Sequence, residues 1–294
     1  MRITPLEELE KRPRRVAVGS FDGVHLGHRE VIRGADTVLT FDPHPMSVTA
    51  PDKAPALLTT LERKAELVES LGVDELVVVR FDQDFAQRSA DQFVDEVLVD
   101  ALNASQVRVG SNFAFGHSAE GKVTRLLEDA RFETTVVPLF DLDGDTVSSS
   151  RIRGLIRAGE VAEAARLLGA PFVFEGVVED GEKRGRELGY PTANLSPSAP
   201  LCTPGQAVYA GSASLPDGRR FRAAINVGLR PMFKSGLGEL IEAYLLDFDG
   251  SLYGQRISVE FVARLRGEER FDDVEALIEQ MANDVEATRQ LVAL

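Results

Sequence analysis

Short apolar runs in the first half of the chain alternate with segments of helical periodicity. The opening run, Val16–Phe21, predicts a buried β-strand. Further strands are predicted at Thr37–Phe41, Glu75–Phe81, Gln106–Gly110 and Thr134–Phe140, and helices at Leu61–Leu71, Asp91–Leu102 and Val123–Ala130. Strands that alternate with helices in this way indicate an α/β domain whose parallel sheet is covered on both faces.

The pattern changes after residues 169–171, Gly-Ala-Pro, a helix-ending signal that follows two short helices predicted over 151–168 and broken at Gly159. We place the domain boundary there, giving domains of residues 1–169 and 170–294. Strands without intervening helices are then predicted at Phe172–Glu179, Ala207–Leu215, Arg220–Val227, Glu239–Phe248 and Gln255–Leu265. With turns at 216–218 and 249–250, they indicate a small antiparallel β-barrel.

A C-terminal amphipathic helix completes the pattern. Its apolar stripe is predicted to pack on the core and comprises Val274, Leu277, Ile278, Met281, Val285 and Leu291.

Composition narrows the class of protein. The 294 residues are 44% hydrophobic and 27% charged, as in ordinary globular domains. The net charge of −14 argues against a nucleic-acid or anionic-membrane partner, but not against ATP, which responds mainly to nearby groups. A single cysteine, Cys202, and an N-terminus without an apolar signal segment predict a cytoplasmic protein. The oligomeric state stays open.

The most distinctive stretch is 16–28, VAVGSFDGVHLGH, which predicts a strand, an Asp22-Gly23 turn and the start of a helix. His25 and His28 would share one helical face, with Gly27 leaving room for a ligand beside the backbone. Helix N–H groups would add positive partial charge, which suits a polyphosphate. Taken alone, the two histidines would suit polar helix caps equally well.

Other polar residues follow the later strands, and in a parallel sheet ligands collect at the carboxyl ends. His44 lies in 41–45, FDPHP, and alone is more typical of a structural turn; Asn112, in 110–116, is ambiguous alone. Ser149 and Ser150 would cap the next helix or bind phosphates, with Arg153 one turn further on. Their convergence on one edge favours a ligand site.

Two neighbouring segments and one strand carry the polar chemistry of the second half. Residues 181–186, GEKRGR, suit a phosphate-binding flap or a solvated hairpin, and 189–194, GYPTAN, follow shortly after. Glu242 interrupts an apolar strand, where it would face the same side as Tyr244 and Leu246. A carboxylate there is either solvated or has a chemical task.

The first half resembles bacterial flavin adenylyltransferases, members of the nucleotidyltransferases, through G-x-F-D-G-V-H-x-G-H and a variant of S-S-T-x-x-R in which Ser150 replaces threonine. The resemblance implies a Rossmann-like domain that joins FMN to ATP. One departure is the short stretch, 29–35, between His28 and the next predicted strand. The implied roles are catalysis by His25, His28 and Arg153, ATP binding by Gly19, Phe21, Asp22, Gly27, Ser149 and Ser150, and flavin binding by His44 and Asn112.

The second half is similar to riboflavin kinases. By that resemblance Thr192 and Asn194 would hold Mg²⁺, Gly181 and Arg186 would bind ATP, and Glu242 would be the catalytic base. Departures from the family pattern are Met232 for threonine, Ala207 for glycine, Glu182 for aspartate and one extra residue before Gly181.

Together the resemblances imply a bifunctional riboflavin kinase and FMN adenylyltransferase, with ATP as co-substrate, Mg²⁺ in both steps, and riboflavin, FMN and FAD as the other small-molecule partners. One alternative is an adenylyltransferase whose barrel only binds flavin. A non-catalytic flavin or nucleotide sensor would not need a base such as Glu242. A cytidylyltransferase would share only the H-x-G-H stretch.

Overall fold

The computed structural model describes residues 1–180, 189–229 and 239–294. The chain forms two compact units, Met1–Ser149 and Ser150–Leu294. This division lies about one helical hairpin before the boundary expected after residue 169. The difference arises because the helices that follow Ser149 group with the strands of the second unit.

The first unit is built from short elements. Its strands are Arg2–Pro5 (β1), Arg14–Val18 (β2), Thr37–Asp42 (β3), Glu75–Arg80 (β4), Ala104–Gly110 (β5), Ala114–Phe115 (β6), Gly121–Lys122 (β7), Glu133–Val137 (β8), Asp141–Leu142 (β9) and Asp145–Thr146 (β10). Its α-helices are Leu26–Ile32 (α1), Pro45–Thr49 (α2), Leu61–Glu69 (α3), Gln83–Ala86 (α4), Ala90–Gln92 (α5) and Val123–Leu127 (α6), with a π-helical segment over Phe93–Ala101.

Six strands form one parallel sheet in the order β1-β4-β3-β2-β5-β8, which confirms the predicted parallel architecture. From β2 the chain proceeds through β3 to β4 on one side, then returns to place β5 on the other side of β2. The strand order therefore reverses between β2 and β5. In open α/β sheets, the crevice at such a switch point is where ligands bind.

Apolar side chains cover both faces of this sheet. Val16 and Val18 of β2 pack into a cluster with the π-helical segment, while Ala17, between them, packs with α1 and α3 on the opposite face. Alternate residues of one strand thus serve two separate cores, as expected for a sheet buried on both sides.

Two predictions for this unit need correction, and one strand was missed. β2 ends at Val18, not Phe21, because Phe21 adopts a left-handed φ of 46° that no strand allows. β1 was not predicted, since its four residues contain little apolar pattern. The helix predicted over Asp91–Leu102 is wound mostly as a π-helix.

The second unit begins with two helices and continues as a barrel. Its elements are Ser149–Arg157 (α7), Val161–Leu168 (α8), Phe172–Glu179 (β11), Ala193–Ser196 (β12), Ala207–Ser214 (β13), Arg220–Leu229 (β14), Glu239–Leu245 (β15), Arg256–Arg266 (β16) and Val274–Leu291 (α9). The predicted break at Gly159 and the helix end at Gly169 are confirmed, and both glycines have positive φ.

The strands close into an antiparallel barrel in the order β11-β12-β15-β14-β13-β16, which confirms the predicted barrel. β12 was missed because its four residues, ANLS, lack an alternating pattern. The turn at 216–218 joins β13 to its neighbour β14 as predicted. Residues 249–250 do not form a hairpin, since β15 and β16 are not adjacent.

The predicted packing of α9 is wrong for much of its stripe. Val274, Ile278 and Leu291 are exposed, whereas Asp284 and Thr288 are the buried residues of this helix. The Asp284 carboxylate accepts hydrogen bonds from Nε and Nη2 of Arg266 on β16, at 3.1 and 2.8 Å. A bidentate ion pair, which the apolar periodicity does not reveal, therefore fastens this helix to the barrel.

A buried ion pair lies at the amino end of the parallel sheet. The Arg14 side chain is fully buried, and its Nε donates to Glu75 Oε2 at 2.9 Å. Arg12 Nη2 donates to the same oxygen at 2.8 Å, and Thr4 Oγ1 donates to Oε1 at 3.1 Å. Burial acts to raise the pKa of Glu75, but these hydrogen bonds and charges outweigh it and hold the pKa below its ordinary 4.5.

Glu75→Gln is expected to lower the unfolding free energy of the first unit by about 3 kcal/mol, because Arg14 keeps its charge without a counter-charge. A carboxyl with a lowered pKa stabilises the fold above its ordinary value of 4.5, and this contribution is lost as the pH falls through the folded-state pKa. The variant should therefore lack this part of the wild-type acid sensitivity.

Urea unfolding followed by circular dichroism measures this effect. All four tyrosines lie in the second unit and tryptophan is absent, so tyrosine fluorescence follows that unit separately. Glu30→Gln, which removes the exposed pair with Arg33, should change stability by less than about 0.5 kcal/mol. Equal effects of the two substitutions would contradict the importance of the buried pair.

Candidate functional sites

The turn between β2 and α1 has a strained backbone. Phe21 and Val24 have φ of 46° and 40°, and Gly23 has φ of 86°. Left-handed φ is costly for bulky and β-branched residues, about 1–3 kcal/mol each, and such strain concentrates at functional sites. Gly19 makes the conformation feasible, because a Cβ there would lie 3.0 Å from the Phe21 ring.

Hydrogen bonds from distant segments hold this turn. The buried Asp22 carboxylate accepts from the backbone N–H groups of Leu58, at 2.9 Å, and Thr59, at 3.2 Å. Thr59 Oγ1 accepts from the N–H of Gly23, and Ser149 Oγ donates to the Asp22 carbonyl at 2.9 Å. Asp22 and Ser149, both predicted to bind ATP, thus also fix the backbone from which α1 starts.

The two histidines form one stacked unit. His25 is the N-cap of α1, and its Nδ1 accepts the N–H of His28 at 3.2 Å. The two rings stack with centroids 3.5 Å apart, and the Phe21 and His28 rings are nearly perpendicular with centroids 5.3 Å apart. The cap bond requires His25 Nδ1 to be unprotonated. His25 is 5% exposed and His28 is half-buried, so a ligand would reach mainly His28.

Gly27 lies between the histidines. A Cβ there would lie 3.4 Å from both the His25 ring and Phe140 Cβ, which is ordinary van der Waals contact. The neighbouring atoms therefore leave room for a methyl group at this position.

Two further predicted residues lie at the same sheet edge. His44 follows β3 and caps α2, with Nδ1 accepting the N–H of Met46 at 3.2 Å. Asn112 follows β5 and is exposed. β3 and β5 flank β2, so the structure brings these residues to the carboxyl edge that carries the histidines. Half-buried aromatic rings of Phe81 and Phe113 lie at this edge too.

Ser150 and Arg153 lie on α7, which begins at Ser149. The Arg153 side chain is 7% exposed, although it carries a charge. Both residues group with the second unit.

The second group of polar residues crosses three strands of the barrel. Asn194 on β12 pairs in register with Glu242 on β15, and Glu242 pairs with Asn226 on β14. Directly opposite residues in antiparallel strands place their side chains on the same face. Asn226 Nδ2 lies 3.5 Å from Glu242 Oε2, and Asn194 is buried. We call Asn194, Glu242 and Asn226 the polar row.

The polar row faces away from the barrel interior. Ile241, Ala243 and Leu245 of β15 are buried inside, so Glu242 and Tyr244 project outward and are half-buried. Leu246 does not share this face as predicted, because β15 ends at Leu245 and Leu246 turns into the core.

Thr192 lies two residues before Asn194 and is half-buried, and beside it Tyr190 packs edge-on against Tyr244 at 5.2 Å. Burial raises the pKa of Tyr244, with the neighbouring Tyr190 and Asp247 adding to the shift. Thr192, the polar row and the tyrosine pair therefore lie together on the β12–β15 side of the barrel.

Some predicted residues cannot be placed, and one residue of the polar row was missed. Gly181 and Arg186, with Glu182 and Met232, lie outside the described residues. Asn226 was not among the predicted site residues. Its signal was an amide at an alternating position of an apolar strand, but only the register reveals its neighbour Glu242.

Comparison with known proteins matches the two halves of the chain to two different families. The FAD synthetase family model matches residues 7–151, and the riboflavin kinase family model matches residues 168–292. A bifunctional riboflavin kinase/FMN adenylyltransferase of Listeria monocytogenes is 40% identical over 95% of this chain and 92% of its own length. The chain belongs to this bifunctional family. It is a riboflavin kinase and an FMN adenylyltransferase.

Other relatives extend the comparison. The enzymes of that name from Bacillus subtilis and Escherichia coli are 36% and 34% identical, covering 92% and 95% of this chain and 89% and 93% of their own lengths. A crystal structure from Streptococcus pneumoniae, described as a macrolide-efflux protein, has a TM-score of 0.86 and 30% identity, covering 98% of this chain and 99% of its own. Among the described residues, no helix has the length and apolar character needed to cross a membrane.

Proposed function

We propose that the two family activities use the two groups of residues described above. Riboflavin is phosphorylated to FMN beside the polar row, and FMN is adenylylated at the carboxyl edge of the parallel sheet. We also propose that, along the sequence, the boundary between the two catalytic modules lies near Gly169, as the sequence pattern suggests. The observation that carries the assignment is the register that sets Glu242 directly between Asn194 and Asn226.

Glu242 suits the task of general base in the kinase reaction. The ribityl hydroxyl of riboflavin is neutral, so its attack on the γ-phosphorus of ATP is helped by a carboxylate that accepts the proton. The neighbouring Asn226 amide, 3.5 Å away, orients the carboxylate. The outward direction of Glu242 leaves its other oxygen available to a substrate on this face.

The oxygen donors near Glu242 fit Mg²⁺. Among the described residues, no group of three or more histidine, cysteine or acidic side chains could hold a metal ion. Mg²⁺ is usually bound by one or two protein ligands together with phosphate oxygens. The Thr192 hydroxyl and the Asn194 amide oxygen would be those ligands, and the ion would neutralise charge on the ATP phosphates.

Adenylyl transfer places different demands on the first site. The FMN phosphate is already an anionic nucleophile, so no base is required when it attacks the α-phosphorus of ATP. The site must align the two phosphates and stabilise the charge that develops on the departing pyrophosphate. His28, backed by the stacked His25 and by Phe21, is rigidly placed to donate to a phosphate oxygen. Gly19, Gly27, Ser149 and Ser150 would shape the ATP pocket, Arg153 would add a charge, and His44 and Asn112 would contact the flavin.

A cytoplasmic location fits this function. ATP is the co-substrate of both reactions, and a low cysteine content, one residue in 294, is typical of proteins in a reducing compartment. Trapping the protein with compartment-specific labels would test this assignment.

Chromatographic separation of riboflavin, FMN and FAD after incubation with ATP and Mg²⁺ tests both activities together. Both FMN and FAD should form, and chelation of Mg²⁺ should stop both steps. FAD formed from supplied FMN, with riboflavin left unphosphorylated, would instead indicate a barrel that only binds flavin. No consumption of ATP would favour a sensor.

His28→Ala should reduce FAD formation from FMN by about 10²- to 10³-fold, because a donor to the transition-state charge is lost. Phosphorylation of riboflavin should stay at the wild-type rate. His117→Ala, on an exposed turn, is the matched control and should leave both rates unchanged. Loss of both activities in a folded His28 variant would contradict separate sites.

Glu242→Gln should lower the kinase rate by about 10²- to 10⁴-fold through loss of the base, while FMN adenylylation continues. Steady-state measurement with each flavin separately distinguishes the two. Glu175→Gln removes another half-buried carboxylate from the outward face of β11 and should have little effect on the kinase. An unchanged kinase rate in the Glu242 variant would remove its assigned role.

A further inference from the structure

Lys64 is a buried cation beneath the carboxyl edge of the parallel sheet. It lies on α3, and its side chain is 7% exposed. Its Nζ donates to the Ser20 carbonyl at 2.8 Å and to Thr40 Oγ1 at 3.2 Å. Lysine is almost never buried to this degree without a specific task.

The contacts of Lys64 converge on the start of the strained turn. Thr40 Oγ1 donates to the same Ser20 carbonyl at 3.1 Å, so this oxygen receives two side-chain hydrogen bonds. Ser20 directly precedes Phe21, whose left-handed φ begins the path to the histidines. The direction of the Ser20 carbonyl sets the peptide plane between Ser20 and Phe21. The hydrogen bond from Lys64 therefore fixes the peptide group at the start of the turn, while the bonds to the Asp22 carboxylate fix the backbone in its middle.

Burying the charged Lys64 ammonium costs free energy, which a purely structural contact would not require. Burial lowers its pKa, and the charges of Asp22 and Asp42 oppose this shift only in part. A buried charge is often replaceable by an apolar side chain of similar volume without loss of stability. The ammonium is thus better explained by what it does at the sheet edge, where a triphosphate would bind, than by packing.

We propose that Lys64 is a positioning residue for adenylyl transfer. Its ammonium fixes the Ser20 carbonyl and hence the strained turn that places His28, and it adds fixed positive charge to the edge that receives ATP. This inference rests on the proposed assignment of FMN adenylylation to that edge.

Lys64→Met tests the proposal in the full-length protein. The methionine keeps most of the buried hydrocarbon but removes the charge and both hydrogen bonds. Because the groups that act on phosphate would lose their alignment, kcat for FMN adenylylation should fall about 10- to 100-fold with a smaller change in KM for FMN. Riboflavin phosphorylation should be unchanged, and the thermal midpoint should be unchanged or higher.

Three further variants separate position from stability. Lys64→Arg keeps the charge and should retain more adenylyltransferase activity than Lys64→Met. Thr40→Val removes one hydrogen bond to Ser20 while leaving the ammonium, and should have an intermediate effect. Arg63→Met, the matched control, removes a half-buried arginine of α3 that pairs with Glu66, and should leave both activities unchanged.

The outcomes are distinct. Lys64→Met with wild-type kcat for adenylylation overturns the role of Lys64 and leaves the proposed function intact. Equal loss of activity in the Met and Arg variants, in parallel with a lower thermal midpoint, would show a packing role and also overturn it. Wild-type protein that forms no FAD would overturn the proposed function itself.

Discussion

The left-handed backbone of Phe21 and Val24 is the constraint on which the carboxyl edge of the parallel sheet depends. One local hydrogen bond, from the Val24 N–H to the Phe21 carbonyl at 3.2 Å, closes the turn, and segments far apart in the sequence hold it in place. Residues 58–59 and Ser149 donate hydrogen bonds to Asp22, and Lys64 and Thr40 donate to the Ser20 carbonyl. These contacts set the position of the histidine pair. The site therefore forms only once the sheet has folded.

The two ends of the parallel sheet handle charge differently. At the amino end, the charges of Arg14 and Glu75 neutralise each other in a closed network that excludes water. At the carboxyl end, Lys64 donates to the Ser20 carbonyl, and no carboxylate among the described residues pairs with it as closely as Glu75 pairs with Arg14. Charge is therefore neutralised at the amino end of the sheet and left positive at the carboxyl end. This difference favours anions at the carboxyl end, where the strand order reverses between β2 and β5.

Patterning predicted both architectures, because apolar runs and turn chemistry are local signals, and the motifs supplied the candidate site residues. Non-local contacts were not predictable. β12 has no alternating pattern, yet it carries Asn194 and owes its place to pairing with β11 and β15. Lys64 lies in a stretch rich in charged residues, so its local sequence predicts a surface position. It is buried only because α3 packs on the sheet. The polar face that fixes α9 to the barrel is hidden for the same reason, since Arg266 and Asp284 meet only in the folded chain.

The polar row joins β12 to the consecutive strands β14 and β15, so its chemistry is tied to the length of the segments between these strands. In a β-strand, neighbouring side chains point to opposite faces. One residue inserted or deleted ahead of Glu242, if taken up as a one-step slip of β15, would turn the carboxylate into the apolar interior and bring Ile241 or Ala243 out in its place. Length variation in this barrel is therefore tolerable only in pairs of residues, or in loops able to absorb it before the strand begins.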